Sequence, residues 1–302
     1  MIPQPHRSGA DWLGIYLRGL AMGIAEVIPG VSGGTIAFIT GIYQELLATL
    51  AHVSFASMRV LVDQGIRAFW QEHNLTFVLI LGLGMLTSFV LFAKLLSGFI
   101  ASDPILVWAF FFGLVATSVL LIARHTSLKK LMSGGLLGAV AAGLLSLGIP
   151  MQVQPGVLVL FLGGMLAVTA WLLPGVSGSY LLLMMGLYPV VLGAAANMDL
   201  TVLGIVAAGC LVGLLLFSKL LAWLLETHRD MLMAVLTGFT AGSLLKLWPW
   251  KVAHGDLSLP VLPITYQQAL SAEPQLLGAL LALLAGTLIV VGLAWHEQRA
   301  QL

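Results

Sequence analysis

The stretch Pro29-Gly30-Val31-Ser32-Gly33-Gly34-Thr35 lies between two apolar arms and decides how this chain is organised. It occurs again as Pro174-Gly175-Val176-Ser177-Gly178-Ser179-Tyr180. Each copy is followed by a similar Gly-x-Tyr motif, Gly41-Ile42-Tyr43 in the first and Gly186-Leu187-Tyr188 in the second. The chain is therefore predicted to be a duplication, and internal duplication in an apolar chain favours a transporter.

The residue types in this stretch stop one helix and start another. Pro29 has no amide donor, Gly30 can adopt a positive φ, and Ser32 can cap a helix that begins near Gly33. Free backbone N–H groups beside a helix N-terminus form a site for an anion. Two interpretations remain open: a tight bend that only lets helices pack, or a bend that also holds a ligand.

Composition places the chain in a lipid bilayer. Of its 302 residues 60% are apolar and 8% are charged, against roughly 25% charged residues in soluble proteins. The apolar runs are long and do not alternate, which excludes barrel strands. The net charge of +1 gives no indication of nucleic-acid binding, and the single cysteine, Cys210, excludes an intramolecular disulfide. No cleavable signal sequence is expected.

The predicted fold is an all-α integral membrane protein with an inverted-topology repeat, each half having a re-entrant Pro-Gly helical hairpin plus three transmembrane helices. We expect one membrane domain, 1–302, with a first repeat at 11–149 and a second, inverted repeat at 156–296. The hairpin arms are predicted at 11–28, 33–53, 156–173 and 178–197, the spans at 75–99, 104–124, 131–149, 200–225, 230–249 and 275–296, and an amphipathic surface helix at 54–73.

The repeat continues beyond the hairpins. The run 91–96 matches 216–221, which is an offset of 125 residues, whereas the hairpins are offset by 145. The surface helix, which the second half lacks, accounts for the difference. The last helix of each half matches only weakly.

Topology follows from the number of crossings and from charge. Each half has an odd number of crossings whether its hairpin is re-entrant or fully spanning, so the second half is predicted to insert upside down. Lysine and arginine outside the spans favour one side by eight to two, which predicts that both termini and 54–73 are cytoplasmic and that the 250–274 loop is external. We favour re-entrant hairpins because the Pro-Gly breaks carry no charged anchors.

Lys94 and Lys219 occupy equivalent positions in the two halves, and inversion would turn them toward opposite faces. Charges inside membrane helices usually face a cavity or a partner, although a lysine near a helix end can also extend to the surface. Either lysine could attract an anionic headgroup.

Arg18 and Glu26 lie on the first arm, where the second repeat has Gly163 and Trp171. Arg18 could bind phosphate or anchor the helix at the interface, and Glu26 could carry a proton or balance a lysine. The remaining candidate phosphate-binding residues are the hydroxyls and glycines of the two hairpins: Ser32, Gly33, Gly34, Thr35, Ser177, Gly178 and Ser179. Neither a catalytic constellation nor a metal-ligand spacing is present, and no cofactor is expected.

The run from Gly19 to Thr35, the second motif from Leu173 to Ser179 and the run from Gly242 to Pro249 resemble a bacterial membrane family, the polyprenyl-phosphate transporters of the undecaprenyl-phosphate flippase (PopT) type. The resemblance covers essentially the whole chain. It implies a bacterial inner-membrane protein that returns undecaprenyl phosphate from the outer to the cytoplasmic leaflet for peptidoglycan and other envelope polymers.

We therefore expect a flippase that is not an enzyme. Its phosphate would be guided by Lys94, held at the hairpins and released toward Lys219, with Glu26 a candidate for proton coupling. Two alternatives remain: a secondary transporter of a small anion or ion, and an intramembrane enzyme acting on a lipid phosphate.

Overall fold

The computed structural model describes residues 7–27, 32–53, 57–124, 126–146, 154–254 and 257–300. For some residues within the helices, Lys94 among them, the described part includes the backbone and not the side chain.

The elements of the first half are α1 (Gly9–Val27), α2 (Gly33–Ile39), α3 (Tyr43–His52), α4 (Ser57–Glu72), α5 (Leu75–Ser102), α6 (Pro104–Arg124), α7 (Leu128–Lys130), a π-helical turn (Leu131–Gly135) and α8 (Leu136–Ser146). Those of the second half are α9 (Val157–Leu172), α10 (Gly178–Met184), α11 (Tyr188–Ala196), α12 (Leu200–Thr227), α13 (Arg229–Leu247), β1 (Lys251–His254), β2 (Leu257–Pro260), α14 (Pro263–Leu270) and α15 (Leu276–Ala300).

The prediction of a helical, multi-pass membrane protein is confirmed. Four helical segments of the described chain are long and apolar enough to cross a bilayer: 104–124, 128–145, 200–227 and 229–247. Two bent helix pairs raise the number to as many as six if each pair counts as one span.

These bent pairs correct the prediction that each second arm is one helix. The arm at 33–53 is broken between α2 and α3 by a bend of 117°, and the arm at 178–197 is broken between α10 and α11 by 114°. Gly41 (φ 75°) and Gly186 (φ 71°) adopt left-handed backbone conformations at the two breaks. Equivalent turn hydrogen bonds close the C-terminal ends of α2 and α10: Ile42 N–H donates to Ala37 O, and Leu187 N–H donates to Leu182 O.

Two further segments differ from their predictions. The surface helix is present as α4, but Gly65 (φ 81°) interrupts it with a kink. The loop at 250–274 contains an antiparallel hairpin, in which Lys251 pairs with Pro260, followed by α14. Trp248 and Trp250 hold this segment by donating from their indole nitrogens to Val261 O and Pro274 O.

The chain divides into two compact units, and both contain residues from each sequence half. Unit 1 comprises 1–94, 152–173 and 177–229, and unit 2 comprises 95–151, 174–176 and 230–302.

In unit 1, glycines let α1 pack closely on α5 and α9 pack closely on α12. A Cβ on Gly19 would come within 3.0 Å of Leu81 O, and a Cβ on Gly164 would come equally close to Val206 O. These pairs are equivalent, because Gly164 lies 145 residues after Gly19 and Val206 lies 125 residues after Leu81. Equivalent parts of the two halves therefore make equivalent helix contacts.

In unit 2, α15 packs on α6 and α8 packs on α13, so each pair joins a helix of the first half to a helix of the second. A Cβ on Gly286 of α15 would clash with Phe110 O of α6, and one on Gly138 of α8 would clash with Val235 O of α13. Phe110 and Val235 are equivalent at the offset of 125 residues. The last helix of each half thus packs against the middle helix of the other half.

Candidate functional site

The end of the first Pro-Gly hairpin is built around the carboxylate of Glu26, near the C-terminus of α1. Its Oε1 accepts a hydrogen bond from the Gly33 backbone N–H at 2.6 Å. Ser32 has the extended conformation of a helix cap, and its Oγ accepts from the Gly34 N–H at 3.1 Å. The first two amides of α2 are therefore bound by oxygens of the chain itself, one from a carboxyl group and one from a hydroxyl.

This hairpin packs on the end of α9, immediately before the second Pro-Gly motif. Ser32 Oγ donates to Trp171 O at 3.5 Å, and Tyr43 Oη donates to Leu172 O at 2.8 Å. The Trp171 side chain also hydrogen-bonds to the Glu26 carboxylate. Glu26 and Trp171 occupy equivalent positions of the two repeats, so the repeats meet at corresponding points.

Close backbone approach explains the small residue at position 34. A Cβ on Gly34 would lie 2.5 Å from Trp171 O, a distance that a side chain cannot adopt without moving α2 away from α9. Thr35 follows in the first turn of α2 and is 2% exposed. Gly33, Gly34 and Thr35 thus lie together at the buried start of one short helix, as the sequence predicts.

The second hairpin differs in its polar groups. Ser177 precedes α10 with the backbone conformation of a cap, but its Oγ lies 2.8 Å from Ser179 Oγ and does not cap the helix. Gly178 packs against Ala167 O of α9, as Gly33 packs against Met22 O of α1. The glycine contacts are shared by the two hairpins, whereas the carboxylate belongs to the first hairpin.

Arg18 is not at the Gly33 amide. Its Nε donates to Thr40 O at 3.2 Å, and Thr40 is the residue that caps the C-terminus of α2. Arg18 and Glu26 therefore contact opposite ends of α2, with the cation at the carbonyl end and the anion at the amide end. This arrangement complements the dipole of a helix on which all six residues from Gly33 to Phe38 are buried.

Of the two equivalent lysines, Lys219 is exposed on α12. The Lys94 side chain lies outside the described residues, so the pairing of the two lysines stays a prediction. Within the described ranges, no three His, Cys, Asp or Glu side chains come together in a way that could hold a metal ion.

Sequence reasoning missed a polar cluster next to the N-terminal end of α1. Arg7 donates to both carboxylate oxygens of Glu45 on α3, at 2.6 and 2.5 Å, and Asn74 Nδ2 donates to Glu45 Oε1 at 2.8 Å. The Arg7 guanidinium also lies over the rings of Trp12 and Phe77. Arg7 contributed to the sequence argument only as a positive charge, because the partners of this cluster are distant in sequence.

These features define a helical membrane protein with two broken-helix hairpins in contact, the architecture of a membrane transporter. The chain belongs to the VCA0040-like family, described as undecaprenyl phosphate translocase-like, whose model matches residues 22–258. The family resemblance predicted from the sequence is thereby confirmed.

Two relatives extend this assignment. A Vibrio cholerae protein named polyprenyl-phosphate transporter is 39% identical over 304 residues, covering 96% of this chain and 98% of the relative. A Staphylococcus aureus protein of the same name is 30% identical over 258 residues, covering 79% of this chain and 86% of the relative. No solved structure matches the chain significantly.

Proposed function

We propose that the protein is a flippase of polyprenyl phosphate, with undecaprenyl phosphate as its substrate, in the inner membrane of a bacterium. It returns the lipid carrier from the outer to the cytoplasmic leaflet for envelope polymer synthesis. The phosphate group crosses through the protein beside the hairpins, while the prenyl chain stays in lipid. The names of both relatives and of the family support this substrate.

One observation carries the proposal: a carboxylate bound to the first amide of α2, where the first hairpin packs on α9. A carboxylate and a phosphate accept the same hydrogen bonds from backbone amides and favour the same end of a helix. The Gly33 N–H is therefore a group suited to an anion, and Glu26 supplies that anion within the chain.

Exchange at this amide provides a route to proton coupling. Glu26 and a lipid phosphate cannot both accept the single hydrogen of Gly33, and two anions at one buried position repel each other. Protonation of Glu26 would release the amide to the phosphate, and departure of the phosphate would restore the carboxylate. One proton would then move with each lipid.

The alternating exposure that a flippase needs follows from an inverted repeat with re-entrant hairpins. The equivalent contacts of Gly19 with Leu81 and of Gly164 with Val206 support a two-fold relation between the halves. The odd number of crossings per half makes that relation an inversion, with both termini in the cytoplasm. Lys94 and Lys219 then attract the headgroup on opposite sides.

The test is a leaflet-resolved transport assay in proteoliposomes with labelled polyprenyl phosphate, with and without a pH gradient. Wild-type protein is expected to move the lipid between leaflets and to respond to the gradient. Glu26→Gln should abolish the response to the gradient. Lys94→Gln and Lys219→Gln should slow transport several-fold, whereas Lys129→Gln, a change at an exposed lysine of α7, should leave the rate unchanged.

Three results would contradict the proposal. Transport of small anions without any movement of lipid would indicate a solute transporter. Release of inorganic phosphate from the lipid would indicate an enzyme. Wild-type rates in both lysine variants would remove Lys94 and Lys219 from the path.

A further inference from the structure

A cleft of about 450 Å³ lies between α3 and the C-terminal end of α12, within unit 1. Its polar groups come from Gln44 and His52 on α3 and from Glu226 and Arg229 on the other side, and its floor includes Ala48 and Ala222. The volume falls within the range of roughly 300–1,000 Å³ typical of small-molecule sites. The cleft is separate from the amides of Gly33 and Gly34.

Arg229 gives the cleft an anion-binding group. Within the described part of the chain its guanidinium makes no ion pair within 4.0 Å, and its contact with Gln44 Oε1 is long, at 3.5 Å. A guanidinium carries five donors in a planar fork that matches the oxygens of a phosphate. Arg229 is exposed and lines the cleft.

His52 adds a second nitrogen donor on the opposite wall. Its Nε2 lies 3.6 Å from Glu72 Oε1, and its ring centroid lies 5.2 Å from that of His73. Glu226, on the rim, is the acidic group among the residues that line the cleft. A phosphate monoester has a second pKa of about 6, so its singly protonated form can donate its hydroxyl to Glu226 while its other oxygens accept from Arg229.

The small side chains on the floor favour a ligand with carbon attached to the phosphate. Ala48 and Ala222 leave space that larger residues would fill, and Leu225 adds apolar surface beside them. An inorganic phosphate would gain nothing from this surface, whereas the first carbons of a prenyl chain would bury apolar area there.

We propose that this cleft binds the phosphate headgroup of a polyprenyl phosphate, with Arg229 on the phosphate and the floor at Ala48 and Ala222 against the first carbons of the chain. The inference rests on the proposed function and extends it, because it assigns a second headgroup site on the cytoplasmic side. Lys219 lies on α12, and Arg229 is the first residue of α13, ten residues further along the chain.

The experiment is a binding titration of purified full-length protein in nanodiscs, with farnesyl phosphate, farnesol and inorganic phosphate as probes. Arg229→Gln removes the charge, and Ala222→Leu fills the floor without changing charge. Each should weaken farnesyl phosphate binding about tenfold or more. Arg124→Gln, a change at an exposed arginine that ends α6, is the matched control and should bind as the wild type does.

The outcomes separate this inference from the flippase proposal. Wild-type affinity in both Arg229→Gln and Ala222→Leu overturns the cleft and leaves the flippase proposal intact if the wild type transports lipid. Inorganic phosphate or farnesol binding as tightly as farnesyl phosphate overturns the assignment to a lipid headgroup. Ala48→Leu repeats the test if Ala222→Leu does not fold.

Discussion

The contact between Glu26 and Trp171 makes the sharpest prediction about what holds the two hairpins together. We consider Glu26→Ala, Glu26→Gln and Trp171→Phe. The alanine variant removes a charge-assisted hydrogen bond of 2.6 Å to the Gly33 N–H and the acceptor of the Trp171 side chain. The glutamine variant keeps an acceptor for Gly33 and loses the charge.

The expected magnitudes follow from these contacts. A hydrogen bond to a charged group contributes about 1.5–3 kcal/mol, and a neutral one about 1 kcal/mol. Glu26→Ala should therefore lower the free energy of unfolding by about 2.5–4 kcal/mol, and Glu26→Gln by about half as much. At roughly 2 °C per kcal/mol for a chain of this size, the alanine variant should lose about 5–8 °C in Tm.

The assay is thermal unfolding of detergent-solubilised protein, followed by size-exclusion chromatography with fluorescence detection. A double-mutant cycle of Glu26→Ala with Trp171→Phe isolates the pair and should give a coupling energy of about 1 kcal/mol. Additive effects would show that Trp171 does not donate to Glu26. An unchanged Tm in Glu26→Ala would refute the role of the carboxylate at the Gly33 amide.

Three further predictions concern packing, charge and pH. Gly164→Ala should destabilise the protein by about 1–3 kcal/mol in the same assay, because its Cβ would clash with Val206 O. Gly204→Ala is the control: a Cβ there has nothing within 4 Å, so the change should be neutral or slightly stabilising. Equal effects of the two variants would contradict the close packing of α9 on α12. Arg7→Ala should lower the free energy of unfolding by about 3 kcal/mol, because it leaves the half-buried Glu45 without its cation, and Glu45→Gln should lower it by less. An unchanged free energy of unfolding in both variants would show that Arg7 and Glu45 do not form an ion pair in solution. Burial lowers the pKa of Lys251 to about 8 from its ordinary 10.5. The unfolded chain therefore holds more protons between these values, and Tm should rise with pH across that window. Lys251→Met should make the rise smaller and Lys129→Met should not; a rise of unchanged size in Lys251→Met would assign it to another group.

The sequence predicts the class of fold well because its strongest signals are local. Apolar length identifies four of the six predicted spans, at 104–124, 131–149, 200–225 and 230–249, which overlap helical segments long enough to cross a bilayer. The repeated Pro-Gly-Val-Ser-Gly motif identifies both hairpins. The Gly-x-Tyr motifs that follow each copy and helped to reveal the repeat also contain the bends, at Gly41 and Gly186. Their effect was missed because a glycine within an apolar run is compatible with a continuous helix, and only its positive φ ends that helix.

Contacts between distant segments were not predictable in the same way. Gly138 and Gly286 pack against equivalent residues, but they lie 148 residues apart, an offset found in neither the hairpins nor the middle helices. A single sequence does not reveal such a register, and consecutive helices are the default partners. The exchange of α8 and α15 between the halves therefore emerged only from the structure.

The candidate site shows the same division between local and distant signals. Ser32, Gly33 and Gly34 form the start of α2 as their residue types predict, since capping and close approach are local properties. Arg18 is a predicted phosphate-binding residue on the first arm, and that role stays a prediction. In the structure its Nε donates to Thr40 O at the C-terminal end of α2. The bend at Gly41 lies next to that end of α2, so this contact was not predictable from the sequence.

The pairing of Glu26 with Trp171 shows how two copies of a repeated motif can differ at an equivalent position. If a two-fold axis relates two copies, a residue near that axis meets its own equivalent, so an unmodified duplication would bring two identical side chains together at this position. Two glutamates would repel each other, and two tryptophans would offer donors without an acceptor. One glutamate and one tryptophan form a hydrogen bond and leave one carboxyl group beside the Gly33 amide. The second hairpin has the hydroxyls of Ser177 and Ser179 in place of a carboxylate. Under the proposed function, an incoming phosphate would compete with Glu26 at the first hairpin and would meet no such competitor at the second. The two hairpins therefore share their glycine geometry but differ in charge, and a proton taken up by Glu26 would act on one of them alone.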